Sequence, residues 1–298
     1  MSHRIGIDLG GTKVEAILLD ESGAERWRHR EPTPQGDYRG TLEVLGRLVS
    51  MAREQVPGAE RPSIGLGHPG SVSPVTGRHR NANSTCLNGE DLVGDLARLV
   101  DQPVAAANDA NCFALSEAVD GAGADGRVVF GVILGTGCGG GVVLDRTVRA
   151  GRNLVAGEWG HTTLPRRDGA GWTPRPCYCG LEDCLEQYLC GPAIEREYAA
   201  EVGSHHALRA IAELAGRDPR AAACLERFRA RVVRALANVV DVLDPDVIVL
   251  GGGVSNLEGL PESIESSLSE HVFGGQCTTP VRRAVHGDSS GVRGAAWL

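Results

Sequence analysis

The segment IGIDLGGTKVEAILLD, residues 5–20, consists of two apolar runs separated by a glycine-rich turn, which is the pattern of a β-hairpin. A second segment, FGVILGTGCGGGVVLD at residues 130–145, has the same length and the same order of apolar run, glycine-rich turn and apolar run. Identical residues in the aligned segments are Gly6 and Gly131, Leu9 and Leu134, Gly10 and Gly135, Leu19 and Leu144, and Asp20 and Asp145. Each segment opens one half of the chain, so the sequence predicts an internal duplication and two related α/β domains.

Helical and strand patterns follow both hairpins. Apolar residues recur at three- and four-residue spacing in 41–56 and in 224–243, which predicts two amphipathic helices. Short apolar strands at 103–107 and 246–253 end in polar or glycine-rich turns. Ligands of open α/β sheets bind beyond the carboxyl ends of the strands, so we expect a functional site at these turns.

The composition narrows the class of protein. The 298 residues are 42% hydrophobic and 23% charged, as in soluble globular proteins. A net charge of -8 argues against binding to nucleic acid or to an anionic membrane. No signal-peptide pattern opens the sequence, and no apolar run approaches the ~18 residues of a membrane span. We therefore expect a cytoplasmic protein.

Three glycine-rich turns follow apolar strands and expose backbone N–H groups that could hold phosphate. They are DLGGTK at 8–13, GTGCGGG at 135–141 and GGGVS at 251–255. None has the Walker spacing, and none opens a helix with GxGxxG. A single such turn usually only reverses the chain, but three of them favour a nucleotide site. Asp8 has Ile133 as its counterpart in the second hairpin, and this asymmetry suggests a specific role, such as holding water around Mg²⁺.

The segment PVAAANDANCFALSEAVDG at 103–121 predicts a strand, a polar turn and a helix. Asn108 and Asp109 lie at the junction. Asp is a favoured residue for capping a helix N-terminus, so Asp109 could be an ordinary cap. A carboxylate at the end of a strand, facing phosphate turns, is also placed where a hydroxyl would be deprotonated during phosphoryl transfer. The pattern alone leaves both interpretations open.

Taken in order, IGIDLGGTK, NDAN, GTGCGGG, GEWGH and CYCGLEDCLE resemble the ROK family of bacterial sugar kinases and repressors. The segments NANST, NDANCFALSEAVDGA, DPDVIVLGGG and HGDSSGVRGAAWL are similar to the fructokinases of that family. The resemblance extends from about residue 4 to the C-terminus. It implies an α/β protein with the actin-like, hexokinase-like fold, in which two ribonuclease-H-like domains enclose a cleft and one carries a small zinc-binding motif.

The resemblance also implies a domain organisation and a reaction. Residues 1–118, completed by 287–298, would form a small domain, and 119–286 a large domain with the zinc motif at 161–184. The expected reaction is the ATP- and Mg²⁺-dependent phosphorylation of a hexose, D-fructose to fructose 6-phosphate, by a homodimer. Glucose, mannose or an N-acetylhexosamine are alternative substrates. A sugar-sensing regulator is a further alternative, although only four residues precede the first predicted strand, where ROK repressors carry a DNA-binding domain.

Residue roles follow from the same resemblance. Asp109 would be the general base that accepts the proton of the attacking sugar hydroxyl. Residues expected to bind the sugar are Asn83, Asn108, Asp109, Glu158, His161 and Glu186. Residues expected at the nucleotide site are Asp8, Gly10, Gly11, Thr12, Lys13, Gly135, Thr136, Gly137, Cys138, Gly139, Gly140, Gly141, Gly251, Gly252 and Gly253.

Nine cysteines divide into two groups. Six are scattered and are interpreted as small buried hydrophobic residues: Cys86, Cys112, Cys138, Cys190, Cys224 and Cys277. The other three, Cys177, Cys179 and Cys184, have C-x-C-x4-C spacing. A disulfide would be unusual in the expected compartment and would leave one thiol idle, and redox pairs normally show C-x-x-C.

These three cysteines therefore favour a zinc site, which needs a fourth ligand. The family uses the histidine of GExGH in this way, which is His161 here. With one ring nitrogen on the metal, His161 is expected to offer the other to a sugar hydroxyl. Two departures from the family pattern stand out. Asp183 replaces a glycine before the last cysteine, where Asp tolerates the left-handed backbone better than most residues. Cys86 stands where the closest relatives tend to carry tryptophan.

Overall fold

Groups of strands and groups of helices follow one another along the chain. In this computed structural model, which describes residues 3–56, 58, 61–165 and 173–298, the strands are β1 (Arg4–Leu9), β2 (Lys13–Leu19), β3 (Glu25–Pro32), β4 (Ser63–His68), β5 (Ser71–Val72), β6 (His79–Arg80), β7 (Ala105–Asn108), β8 (Val128–Leu134), β9 (Cys138–Leu144), β10 (Thr147–Val148), β11 (Val247–Gly251) and β12 (Val281–Arg283). The helices are α1 (Tyr38–Arg53), α2 (Leu92–Val100), α3 (Asp109–Val119), α4 (Glu186–Leu189), α5 (Gly191–Val202), α6 (Leu208–Leu214), α7 (Pro219–Leu243), α8 (Leu260–Leu268) and α9 (Ser290–Trp297).

The two glycine-rich segments each form two consecutive strands of a sheet, β1 with β2 and β8 with β9. Strands β2 and β9 begin at equivalent positions of the aligned segments, Lys13 and Cys138. The predicted strand–turn–strand pattern is therefore confirmed in both halves.

The two large sheets share one strand order. The first runs β3-β2-β1-β4-β7, and the second runs β10-β9-β8-β11-β12. Counted along its own half, each sheet has the order 3-2-1-4-5. In the first, β1 is antiparallel to β2 and parallel to β4, which is parallel to β7. In the second, β11 is parallel to both β8 and β12. This shared order supports the predicted duplication.

Helices cover the first sheet because their apolar stripes match its apolar strands. The predicted helix at 41–56 is α1, which begins after Asp37, whose carboxylate accepts a hydrogen bond from the N–H of Gly40. Its buried residues pack in one core with Ile5 and Ile7 of β1. Helix α9 joins a second apolar cluster, in which Val292 contacts residues of β2.

The second sheet is accompanied by the long helix α7, which contains the predicted helix at 224–243. Asp218 caps its N-terminus by accepting from the N–H of Arg220. The predicted strands at 103–107 and 246–253 correspond to β7 and β11. Of the six scattered cysteines, Cys112, Cys138, Cys190 and Cys224 are buried as predicted, and Cys86 and Cys277 are half-buried.

The chain forms two compact units. The first contains residues 1–125, 141–157 and 285–298, and the second contains 126–140 and 158–284. The division falls within β9, so residues 141–157 belong to the first unit although they lie in the middle of the predicted large domain. The predicted domains, 1–118 with 287–298 and 119–286, stay a prediction. None of the helices in the described residues is long and apolar enough to cross a membrane.

Candidate active site

Two carboxylates interact at the carboxyl edge of the first sheet. Asp8 is the penultimate residue of β1, and Asp109 is the first residue of α3, directly after β7. Burial, together with the negative charges of Asp109 and Glu15, raises the pKa of Asp8 to about 7, although Lys13 acts in the opposite direction. Desolvation also raises the pKa of Asp109, even though part of the residue is exposed. The site can therefore hold a proton near neutral pH, and it favours a cation.

The helix cap at this junction is Asn108 rather than Asp109. Its side-chain oxygen accepts a hydrogen bond from the N–H of Asn111 at 2.8 Å. Asp109 already has helical geometry, and its Oδ1 accepts from the N–H of Ala110 at 2.8 Å. The alternative that Asp109 serves as the cap is therefore wrong, because the polar residue before it takes that position.

The first glycine-rich turn is held by its own backbone and by β3. The N–H of Gly10 donates to the carbonyl of Lys13 at 3.0 Å. Just after β3, the hydroxyl of Thr33 donates to the carbonyl of Gly10 at 2.7 Å. Beside this turn lies a cavity of about 320 Å³, lined by Gly11 and Thr12 and also by Asn83 and Cys86. The structure thus brings the predicted phosphate turn and the predicted sugar residue Asn83 to one cavity of the first unit.

The other two turns meet in the second unit. Gly135 and Thr136 line a cavity of about 1160 Å³ together with Gly253. Gly252 has a φ of +81°, and a Cβ there would overlap the carbonyl of Leu134 at the end of β8. Glycine is therefore required for the 251–253 turn to approach β8 so closely.

The GEWGH motif packs directly on the turn at 135–141. A Cβ at Gly160 would overlap the carbonyl of Cys138, so only glycine allows the two segments to touch. The indole N–H of Trp159 donates to the carbonyl of Gly139 at 2.7 Å. In addition, Oε2 of Glu186 accepts from the N–H of Cys138 at 3.0 Å. The motif residues and Glu186 are thus fixed to this turn.

The four residues predicted to bind a metal lie together in the structure. One ligand atom from each of His161, Cys177, Cys179 and Cys184 lies within 4.8 Å of the others. Cys177 Sγ is 3.6 Å from His161 Nδ1, and the sulfurs of Cys179 and Cys184 are 3.5 Å apart. Tetrahedral zinc, with bonds of about 2.0–2.3 Å, separates its ligand atoms by roughly 3.5–3.8 Å. The donor set and its spacing fit zinc.

The second ring nitrogen of His161 has a partner that the sequence did not suggest. Its Nε2 lies 3.0 Å from the hydroxyl of Tyr178, and the two rings meet edge to face. The expectation that this nitrogen faces a sugar hydroxyl is therefore not what the structure shows. The available signal was the position of Tyr178 between two metal-ligating cysteines. Asp183 has a φ of +59°, as expected for the residue that replaces glycine.

The predicted site residues fall into two sets, one in each unit. The first unit holds Asp8, Gly10, Gly11, Thr12, Lys13, Asn83, Asn108, Asp109 and Gly141. The second unit holds Gly135, Thr136, Gly137, Cys138, Gly139, Gly140, Glu158, His161, Glu186, Gly251, Gly252 and Gly253. Sequence reasoning missed Glu15, which is buried beside Asp8 and paired with Arg28 and Arg30.

Two sheets of identical 3-2-1-4-5 order, with glycine-rich turns and a Cys–His cluster that can hold a metal, define an actin-like, hexokinase-like protein built from two ribonuclease-H-like domains. The sequence profile described as "ROK family" matches residues 4–298. The chain belongs to the ROK family.

Named relatives and solved structures are similar over the whole length. The chain is 39% identical over 303 residues to the N-acetyl-D-glucosamine kinase of Yersinia pseudotuberculosis, covering 98% of this chain and 97% of that protein. The ROK hexokinase from Thermus thermophilus has a TM-score of 0.86 and 32% identity, covering 99% of this chain and 97% of the other. A ROK family glucokinase from Streptomyces griseus, solved in complex with glucose and AMPPNP, has a TM-score of 0.76 and 29% identity, covering 99% and 98%.

Proposed function

We propose that this protein transfers the γ-phosphoryl group of ATP to a hydroxyl of a hexose. The observation that carries the proposal is the cavity of about 1160 Å³ in the second unit, which is lined by two of the three predicted phosphate turns. Its volume exceeds the ~300–1000 Å³ of ordinary small-molecule sites, so a nucleotide can be accommodated. The names of the relatives support the reaction, since they are sugar kinases and one of them was solved with glucose and AMPPNP.

Asp109 is the proposed general base. Desolvation raises the pKa of the Asp109 carboxyl above its ordinary value, which makes the carboxylate a stronger base. It would accept the proton of the sugar hydroxyl as the hydroxyl oxygen bonds to the γ-phosphorus and the bond to the ADP oxygen breaks. Because Asn108 already caps α3, the carboxylate of Asp109 is not needed to begin the helix.

Asp8 is the residue proposed to hold Mg²⁺. Its carboxylate stands among other acidic groups, and burial with these neighbours raises its pKa to about 7, so a bound cation would relieve the repulsion. When bound with ATP, Mg²⁺ neutralises charge on the phosphate oxygens. The turn at Gly10–Lys13, next to Asp8, would add backbone N–H groups and an ammonium to the same phosphates.

The hexose would be held by polar side chains from both sets of residues. We propose that Asn83 and Asn108 contribute from the first unit, and Glu158, His161 and Glu186 from the second. Oε2 of Glu186 is occupied by the N–H of Cys138, so Oε1 is the atom proposed to accept from the sugar. The Nε2 atom of His161 lies 3.0 Å from the hydroxyl of Tyr178, so its proposed sugar contact requires that a sugar hydroxyl replace that of the tyrosine.

Zinc is proposed to be structural. Four side chains fill the four positions of tetrahedral zinc and leave none for a reacting water. Phosphoryl transfer to an alcohol requires a base and charge neutralisation at the phosphates, which Asp109 and Mg²⁺ would supply.

D-fructose is the acceptor that the sequence motifs favour, and N-acetyl-D-glucosamine is the second candidate because the relative at 39% identity is named for it. The test measures ADP release with ATP and Mg²⁺ across fructose, N-acetylglucosamine, glucose, mannose and N-acetylmannosamine. One hexose should exceed the others in kcat/KM, and Asp109→Asn should lower kcat for that hexose about 10²–10⁴-fold. No release above the ATP-only background with any of the five sugars would overturn the proposed function. A preference for N-acetylglucosamine would reject fructose while keeping the reaction type.

A further inference from the structure

Asp183 carries a buried carboxylate where the family pattern has glycine. The residue is 1% exposed and its backbone adopts a φ of +59°. Glycine would meet this backbone requirement without strain and would bury no charge. The carboxylate must therefore contribute something that the shape of the turn does not require.

The contacts of this carboxylate supply that contribution. Oδ1 accepts from the hydroxyl of Tyr188 at 2.6 Å and from the N–H of Arg175 at 2.9 Å. The guanidinium of Arg175 lies 4.2 Å from the centre of the Tyr188 ring and also donates to the carbonyl of Gln187 at 2.8 Å. The loop that carries Cys177, Cys179 and Cys184 is called the metal loop here. The carboxylate of Asp183 thus joins the end of this metal loop to helix α4, which carries Tyr188.

The backbone around Asp183 is held on two further sides. Its N–H donates to the carbonyl of Arg175, and its own carbonyl accepts from the N–H of Leu164, both at 2.9 Å. Beyond the adjacent metal ligand Cys184, the N–H of Leu185 donates to the carbonyl of Thr162 at 2.9 Å. Helix α4 then begins at Glu186. The position of Glu186 is therefore bounded by Asp183 on one side and by Tyr188 on the other.

We propose that Asp183 is a positioning residue for Glu186. By holding Tyr188 and Arg175, it sets the carboxylate of Glu186 against the N–H of Cys138 in the turn at 135–141. The inference rests on the proposed function for its kinetic consequence, because Glu186 is the proposed sugar ligand. A carboxylate displaced by a fraction of an ångström would bind the hexose less well, while the metal ligands themselves stay in place.

The hydrogen bonds from Tyr188 and Arg175 to the carboxylate of Asp183 together form the proposed anchor of Glu186. Three variants test its parts separately. Asp183→Gly keeps the left-handed backbone but removes the side chain. Asp183→Asn keeps an oxygen that can accept from Tyr188 and from the N–H of Arg175. Tyr188→Phe removes only the hydroxyl donor. A matched control is Asp244→Gly, since Asp244 has a φ of +47° in the same unit but is exposed at the end of α7.

The experiment measures the KM for the preferred hexose and for ATP, zinc content, and amide hydrogen exchange of the peptide covering 135–141. In Asp183→Gly the hexose KM should rise about 3- to 10-fold, as for one lost hydrogen bond, and the ATP KM should change less. Exchange at 135–141 should accelerate, with zinc content retained. Tyr188→Phe should change in the same direction, and Asp183→Asn and Asp244→Gly should stay within about twofold of the wild type.

Specific outcomes overturn the anchor. Unchanged KM values and unchanged exchange in Asp183→Gly, with only a lower melting temperature, would make Asp183 purely structural. If Asp183→Asn raises the hexose KM and accelerates exchange at 135–141 as much as Asp183→Gly does, the hydrogen bonds accepted by Oδ1 do not position Glu186. If Asp183→Gly does not fold, Tyr188→Phe decides by the same measurements. If the wild type phosphorylates no hexose, the proposed function fails, and the exchange at 135–141 still decides the anchor.

Discussion

Oε2 of Glu186 accepts a hydrogen bond of 3.0 Å from the backbone N–H of Cys138, so the residue after the metal loop is joined to the turn that opens the second half of the chain. The same turn carries Gly135 and Thr136 at the cavity proposed for the nucleotide. Glu186 therefore contacts the turn at 135–141 with one oxygen, while the other oxygen is proposed for the sugar. A single side chain can transmit a change at one ligand to the other.

The first prediction follows from this bond. Glu186→Ala should raise the hexose KM about 10- to 100-fold, since hydrogen bonds to a charged group contribute about 1.5–3 kcal/mol each. Because the N–H of Cys138 also loses its acceptor, the ATP KM should rise by a smaller factor. Steady-state kinetics with each substrate varied at saturating concentrations of the other measure both. An unchanged ATP KM would show that the bond to Cys138 does not matter for the turn.

The second prediction concerns Asp109. Asp109→Asn removes the proton acceptor, so kcat should fall about 10²–10⁴-fold, the usual loss for a general base. The melting temperature should hardly change, because the cap of α3 is Asn108. Calorimetric titration of the variant should still detect binding of both substrates. Turnover near the wild-type rate would exclude Asp109 as the base.

The third prediction is a pH dependence of the Mg²⁺ requirement. The pKa of Asp8 is raised to about 7 without metal, so protons compete with Mg²⁺ for this carboxylate below that pH. The Mg²⁺ concentration for half-maximal activity should therefore rise as the pH falls from 8 to 6, by up to about tenfold per pH unit below 7. Initial rates across a magnesium series at each pH check this. Asp8→Asn is the control and should lose the dependence along with most of the activity.

Sequence patterns predicted the fold well because the pattern is local. Both hairpins, α1, α7, β7 and β11 follow from apolar periodicity and glycine punctuation within short windows. The Cys–His cluster could be predicted for the same reason, since three of its four residues lie within eight positions of one another. The assignment of residues 141–157 to the first unit could not be predicted, because it depends on packing between segments that are distant in sequence.

Contacts made by individual atoms could not be predicted from the sequence either. Asn108 and Asp109 are both good capping residues, and only the backbone geometry shows which one occupies the cap. The partner of His161 Nε2 depends on how the ring of Tyr178 folds back over the metal loop. The partners of Asp183 depend on how α4, which carries Tyr188, packs against the loop segments that carry Arg175 and Leu164. Residue type suggested the chemistry at these positions, and the fold decided the partners.

The fourth prediction concerns stability. His286 lies 3.0 Å from Oδ1 of Asp120, and this hydrogen bond raises the pKa of the imidazole. A raised pKa means that the contribution is fully present below the unfolded value of about 6.5 and is lost as the pH rises through the folded pKa. His286→Gln should therefore lower the free energy of unfolding more at pH 6 than at pH 9. Urea denaturation at both pH values measures the difference, and an equal loss at both would exclude the charged pair.

The fifth prediction tests the metal centre and its link to the sugar. Cys179 is the exposed ligand of the cluster, so its replacement disturbs core packing least. Cys179→Ser should lower the zinc content from about one per chain and reduce the melting temperature, because three ligands hold zinc less tightly than four. Loss of the metal should loosen His161 and the segment from Cys184 to Glu186, while the cavity lined by Gly135 and Gly253 lies on other elements. The hexose KM should therefore rise more than the ATP KM.

Cys277→Ser, which changes a half-buried thiol outside the cluster, is the matched control and should leave zinc content and both KM values unchanged. Metal analysis that finds no zinc in the native protein would reject the site, whereas equal weakening of both substrates would keep the metal and remove its particular link to the sugar.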